Sequence, residues 1–138
     1  MYTGRDARFE FEGREIRLRP NTSDGHAIHG DVRKRPWTAV APDPSHPGEV
    51  AFAFESAEAA DVNFPFRFGS RLAYRLHEGG LEMRLSVTNR DAGAMPAGLG
   101  FHPYFRRAIA PGEDPRLRFS ATGAWRELLP REAAPPLS

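Results

Sequence analysis

Apolar and polar side chains alternate along most of this chain, and that period of two predicts strands whose successive residues face opposite sides of a sheet. Phe9 and Phe11 alternate with Arg8, Glu10 and Glu12; beyond Gly13, Ile16 and Leu18 alternate with Glu15, Arg17 and Arg19. This pair reads as a hairpin that turns at Gly13. Val50, Phe52 and Phe54 form a third apolar row. A longer fourth row comprises Phe66, Phe68, Leu72, Tyr74 and Leu76, opposite Arg67, Arg71, Arg75 and His77. Glu78-Gly79-Gly80 then supplies a turn, after which Leu81, Met83, Leu85 and Val87 alternate with Glu82, Arg84, Ser86 and Thr88. The two long strands are expected to pair antiparallel, with one buried face and one polar face. Arg116 to Ser120 is expected to add a last short strand.

Helical periodicity is scarcely present: Ser56 to Asp61 is rich in Ala and Glu but too short for a stable helix by itself. The fold class is therefore all-β, an antiparallel β-sandwich or part of one, in a single partial domain over residues 1–138. Residues 130–138, with Pro135-Pro136 and no apolar period, read as coil. A strand pattern begins almost at once after Met1, and a stretch opened by Trp125, Leu128 and Leu129 runs into a proline-rich connection. The expectation is a truncated piece of a larger sandwich with unpaired sheet edges.

The length of 138 residues suffices for a genuine core, and the absence of cysteine excludes disulfides and thiolate metal sites. A net charge of +1, with the basic residues dispersed, gives no reason to expect nucleic acid as a partner. Apolar runs fall far short of a membrane span, and Arg5, Asp6 and Arg8 stand where a signal peptide would need apolar residues. The expectation is a soluble cytoplasmic protein without a membrane partner. In that setting Asn21-Thr22-Ser23, which matches a glycosylation acceptor, is incidental.

Two histidine segments carry the candidate chemistry. In Gly98-Leu99-Gly100-Phe101-His102-Pro103-Tyr104-Phe105, Pro103 fixes the φ next to His102 while Tyr104 and Phe105 offer flat walls to a ring-shaped ligand. Imidazole both donates and accepts protons near neutrality, so His102 is a candidate for proton transfer; a packed strand end would use the same residues. Upstream lies His26-Ala27-Ile28-His29-Gly30-Asp31-Val32-Arg33-Lys34-Arg35-Pro36-Trp37, after a turn-rich loop at Asn21 to Gly25, which puts these histidines at a strand end. A metal would need a third ligand beyond His26 and His29, and no carboxylate signature supplies one, so no metal is expected. His26 is equally a solvated loop residue, and Trp37 is either a pocket wall or core. Arg33, Lys34 and Arg35 read as solvated charges or as a phosphate-holding group.

Taken in order, Asn21, Ile28-His29-Gly30, Trp37, Thr88-Asn89, Met95-Pro96 and Gly100-Phe101-His102-Pro103-Tyr104-Phe105 resemble the aldose 1-epimerase (galactose mutarotase) family. The resemblance runs from about Gly4 to Trp125 and implies a large β-sandwich, the supersandwich. It also implies interconversion of α and β anomers of a hexose, with the C1 hydroxyl losing a proton while the ring oxygen gains one. On the resemblance His102 is the catalytic acid at the ring oxygen, and His29 binds the sugar and helps polarise the same atom. Trp37, Tyr104 and Arg33 are the further substrate-binding candidates; no cofactor is implied. Family members are about twice as long, and their Asn-Arg element, aspartate ligand and basic glutamate have no match here. Glu127 and Glu132 stand in no matching motif and are not assigned as base. The chain by itself is expected to be a weak or inactive mutarotase. The alternatives are a hexose-6-phosphate 1-epimerase, to which Arg33 and its neighbours would bring phosphate contacts, and a noncatalytic carbohydrate-binding module. The sequence leaves the preferred aldose and the oligomeric state open.

Overall fold

The computed structural model of the protein describes residues 5–106, 108, 110–112 and 116–123. The chain divides into two compact units, Met1–Gly100 and Phe101–Ser138. Six strands lie in the first: β1 (Arg8–Phe11), β2 (Arg14–Arg17), β3 (Thr38–Val40), β4 (Glu49–Glu55), β5 (Phe68–His77) and β6 (Gly80–Asn89). They form two antiparallel sheets, a hairpin β1-β2 and a four-stranded sheet in the order β3-β4-β5-β6. The all-β expectation of a partial antiparallel sandwich is thus met. Among the described residues there is no α-helix, and Ser56–Glu58 is a single 3₁₀ turn. No helix of the described residues is long and apolar enough to cross a membrane.

The β1-β2 hairpin closes as the alternation requires, with Phe9 opposite Ile16 and Phe11 opposite Arg14. Its two turn residues, Glu12 (φ 49°) and Gly13 (φ 72°), are both left-handed. That is the type I′ geometry, which matches strand twist and is easiest with glycine in the second place. In the larger sheet, β5 and β6 pair from Phe68↔Asn89 to His77↔Gly80, so Glu78-Gly79 is the two-residue connection. β3 is an addition to the sequence reading; Thr38–Val40 pairs with β4 as Thr38↔Ala53 through Val40↔Ala51.

The register sorts the sheet into an apolar face (Phe52, Phe54, Phe68, Leu72, Tyr74, Leu85) and a charged face (Glu49, Arg71, Arg75, Glu82, Arg84). On the apolar face a run of ring contacts links Trp37 to Phe54, Phe54 to Phe68, Phe68 to Phe64, Phe64 to Phe66 and Phe66 to Phe11, at centroid separations of 5.1–6.0 Å. Phe54 and Phe68 are buried, which stabilises the fold by about 2–3 kcal/mol each relative to exposure. On the charged face Arg71 pairs with Glu49 at 2.6 Å and Arg75 with Glu82 at 2.6 Å. The hydrogen bond from Arg71 holds the Glu49 carboxyl below its ordinary range, assisted by the Asp43 N–H.

Two expectations are corrected. The apolar face is not buried throughout, because at the β5-β6 turn Leu76 is 77% exposed and Leu81 and Met83 are exposed as well. The ring cluster covers the opposite end and does not extend to the turn. Residues 116–120 form no strand, and Leu117 and Phe119 are exposed. Alternation supplies strand propensity, but a strand also needs a partner for its backbone groups. The coil expected at 130–138, and Trp125, Glu127, Leu128, Leu129 and Glu132, lie outside the described residues.

Candidate functional site

The segment between β2 and β3 carries His26, His29, Arg33 and Trp37, and its shape is set by side chains that replace strand pairing. Asn21 binds the backbone of Ile28 on both sides: its Nδ2 donates to the Ile28 carbonyl at 2.9 Å and its Oδ1 accepts the Ile28 N–H at 2.9 Å. The Asn21 N–H donates to the His26 carbonyl at 2.8 Å. Thr22 Oγ1 accepts the His26 N–H at 2.9 Å and donates to the His26 carbonyl at 3.0 Å. These bonds close residues 21–28 into a compact loop, the local pattern that Asn and Thr favour over extended strand.

His26 belongs to this scaffold. Its Nδ1 accepts the Asp6 N–H at 2.9 Å, its side chain is 18% exposed, and Asp24 Oδ2 lies 3.6 Å from Nε2. The Thr22 hydroxyl, foremost, and His26 hold the Asp24 carboxyl below its ordinary range. Of the two readings of His26, the solvated one does not fit a side chain 18% exposed and hydrogen-bonded to Asp6.

His29 stands just past the loop, half-buried, with φ at 66°, and Gly30 follows with φ at 65°. Glycine takes the left-handed region freely, whereas a residue with a Cβ gives up roughly 1–2 kcal/mol there. What holds the pair from the far side is Asp31. Its Oδ2 accepts the Asn63 N–H at 3.2 Å, and Arg35 Nη2 lies 3.2 Å from Oδ1 and 3.1 Å from Oδ2. Arg35 also donates to the Ala60 carbonyl at 2.7 Å and to the Asp61 carbonyl at 2.9 Å. Asn63 in turn pairs with both backbone groups of Arg19, at 2.7 and 2.8 Å, and Arg19 Nη2 donates to the Asp61 carbonyl at 2.6 Å. A polar clasp therefore ties the His29 segment to residues 60–63.

The basic triplet is divided by this clasp. Arg35 is committed to the interior of the fold, while Arg33 and Lys34 are exposed. Trp37 is half-buried against Phe54, and its indole N–H donates to the Val32 carbonyl at 3.3 Å. These contacts fix the indole against the sheet and leave part of the ring surface uncovered.

His102 and Tyr104 lie in the second unit. Their rings stack at a centroid separation of 5.0 Å and an interplanar angle of 23°. Residues 101–106 are exposed throughout, Tyr104 at 90%. Pro103 between them fixes one backbone torsion, and the imidazole and phenol rings lie face to face.

Sequence reasoning missed Asp31, Arg35, Asp61 and Asn63 as the support of His29. One local signal was available, since Asp31 and Arg35 are four residues apart with opposite charges. The partners at 60–63 carry no local signal at all.

An aldose 1-epimerase family model matches residues 2–128. The Uncharacterized protein YphB of Escherichia coli (strain K12) is 33% identical over 122 residues, which are 87% of this chain and 38% of that protein. The chain thus spans well under half the length of this relative. No solved structure matches it.

Proposed function

We infer, since this chain belongs to the aldose 1-epimerase family, that it acts on a hexose and serves the interconversion of its α and β anomers. Opening the hemiacetal takes a proton from the C1 hydroxyl and delivers one to the ring oxygen; rotation about C1 and closure with the protons reversed gives the other anomer. In this reading His102 gives the proton to the ring oxygen and takes it back on closure. His29 binds the sugar through a hydrogen bond from its imidazole. Tyr104, stacked on His102, supplies an aromatic surface of the kind that packs against a sugar's C–H face. The base at the C1 hydroxyl is assigned to no residue of this chain.

The observation that carries the reading is the match of the aldose 1-epimerase family model to residues 2–128, and the left-handed His29, in a segment held on both flanks, is consistent with a ligand-binding role there. Backbone strain at a non-glycine residue persists where the surroundings over-determine it, and such residues cluster at functional sites.

The test is the rate of anomerisation of fresh α-glucose and α-galactose, followed by polarimetry, for the chain and its His102→Gln variant. The expected result is a weak acceleration that the variant abolishes, since losing a general acid costs about 10²-fold or more. Binding of either sugar that survives His102→Gln, with no acceleration by either chain, supports a carbohydrate-binding module instead. A strong preference for glucose 6-phosphate, lost on Arg33→Ala, supports the phosphorylated-sugar alternative.

A further inference from the structure

We propose that Asn21 and Asp31 are positioning residues that hold His29 left-handed and so fix the direction from which its imidazole meets the ligand; the inference rests on the carbohydrate reading above. Asn21 grips the residue before His29. Both polar atoms of its amide are engaged by the Ile28 backbone, each at 2.9 Å, and its own N–H is bound to His26. With its side-chain amide bonded in this way, Asn21 acts through His29 and not on the sugar. Asp31 grips the chain on the other side, one residue beyond Gly30, through the Asn63 N–H and the Arg35 guanidinium.

Between these grips lie two residues, His29 at φ 66° and Gly30 at φ 65°. Gly30 needs no help to stay there, because it has no Cβ. His29 does need it, and the two fixed ends leave the short stretch no room to relax into an ordinary conformation. Release of either end turns the left-handed histidine into one conformer among several. Apparent affinity for a ligand then falls in proportion to the fraction that remains competent.

The experiment is solution NMR on the isotope-labelled chain. The three-bond N–H to Hα coupling and the Cα and Cβ shifts of His29 report its φ, and the imidazole signals of His29 report binding of glucose and galactose. Asn21→Ala and Asp31→Ala are each expected to move the His29 backbone signals toward ordinary right-handed or extended values. The paired β5 and β6 amides stay in place. Sugar affinity at His29 falls by about tenfold, as when the competent fraction drops to about a tenth. Asn21→Asp, which keeps the acceptor for the Ile28 N–H but loses the donor, lies between the wild type and Asn21→Ala. Should an alanine variant lose the β5 and β6 amide pattern, Asn21→Asp decides by the same criterion. An unchanged His29 backbone in the folded variants overturns the proposal. If neither sugar shifts any signal of the unaltered chain, the carbohydrate reading fails, and the His29 backbone signals still decide the positioning role.

Discussion

His29 and His102 sit in segments built in contrasting ways. Around His29 the segment is held from several stretches of sequence: the Asn21 side chain binds the backbone before it, and after it the Asp31 carboxylate binds Arg35 and the Asn63 N–H from beyond β4. Around His102 the residues from 101 to 106 are exposed, and the imidazole stacks on the Tyr104 ring across Pro103. The contrast shows how order is distributed in this chain. A segment held by hydrogen bonds from distant stretches is fixed during folding, so a group on it meets any ligand already ordered. An exposed imidazole keeps access to solvent.

The contrast is most easily broken at Arg35. Its side chain is 19% exposed and that of Asp31 14%, so Arg35→Ala leaves a largely buried carboxylate short of its main partner. A loss of about 2 kcal/mol is expected in urea or thermal unfolding. Arg33→Ala, on an exposed neighbour in the same run, is expected to change stability by no more than about 0.5 kcal/mol. Equal effects from the two would mean that the clasp does not hold the segment.

A smaller effect isolates the backbone at His29. His29→Ala and His29→Gly both remove the imidazole and whatever it touches, so their difference reports φ alone. The glycine variant is expected to be the more stable by about 1 kcal/mol, because alanine keeps the Cβ that the left-handed region penalises. Equal stabilities would show that His29 leaves this conformation readily.

The smallest effect is the response to acid. The Thr22 hydroxyl, with His26, holds Asp24 below its ordinary value of 3.8. A carboxyl depressed in the folded state contributes stability above its unfolded pKa, and that contribution disappears as pH falls through the folded value. Amide signals of residues 21–28 should therefore change below about pH 3.8, and Asp24→Asn should reduce the change. Signals of residues 101–106 should not follow it. A common transition in both segments would erase the distinction drawn between them.

How much of this was legible beforehand depends on the range of the interaction. The β1-β2 and β5-β6 hairpins were readable because period-two alternation and a glycine at the turn are local signals. Thr38–Val40 was not readable as β3, since three residues hold too little of any period. The opposite error arose at 116–120, where the alternation of Arg116, Leu117, Arg118 and Phe119 lacked a partner strand among the described residues. At the site, the sequence pointed to His29, Trp37 and His102 by motif. It was silent on the clasp, because Arg19 and Asn63 are 44 positions apart and polar side chains that meet the backbone carry no period. It also overstated the basic triplet, whose third member turns inward. Charge can be counted along a chain, but its direction cannot.

The central claim is that Asn21 and Asp31 hold the His29 backbone left-handed, and it is tested most directly by the His29 Cα and Cβ shifts and its N–H to Hα coupling in the chain and in its Asn21→Ala variant. The account predicts left-handed values in the chain that move toward ordinary ones in the variant. Right-handed or extended values in the unaltered chain would contradict it.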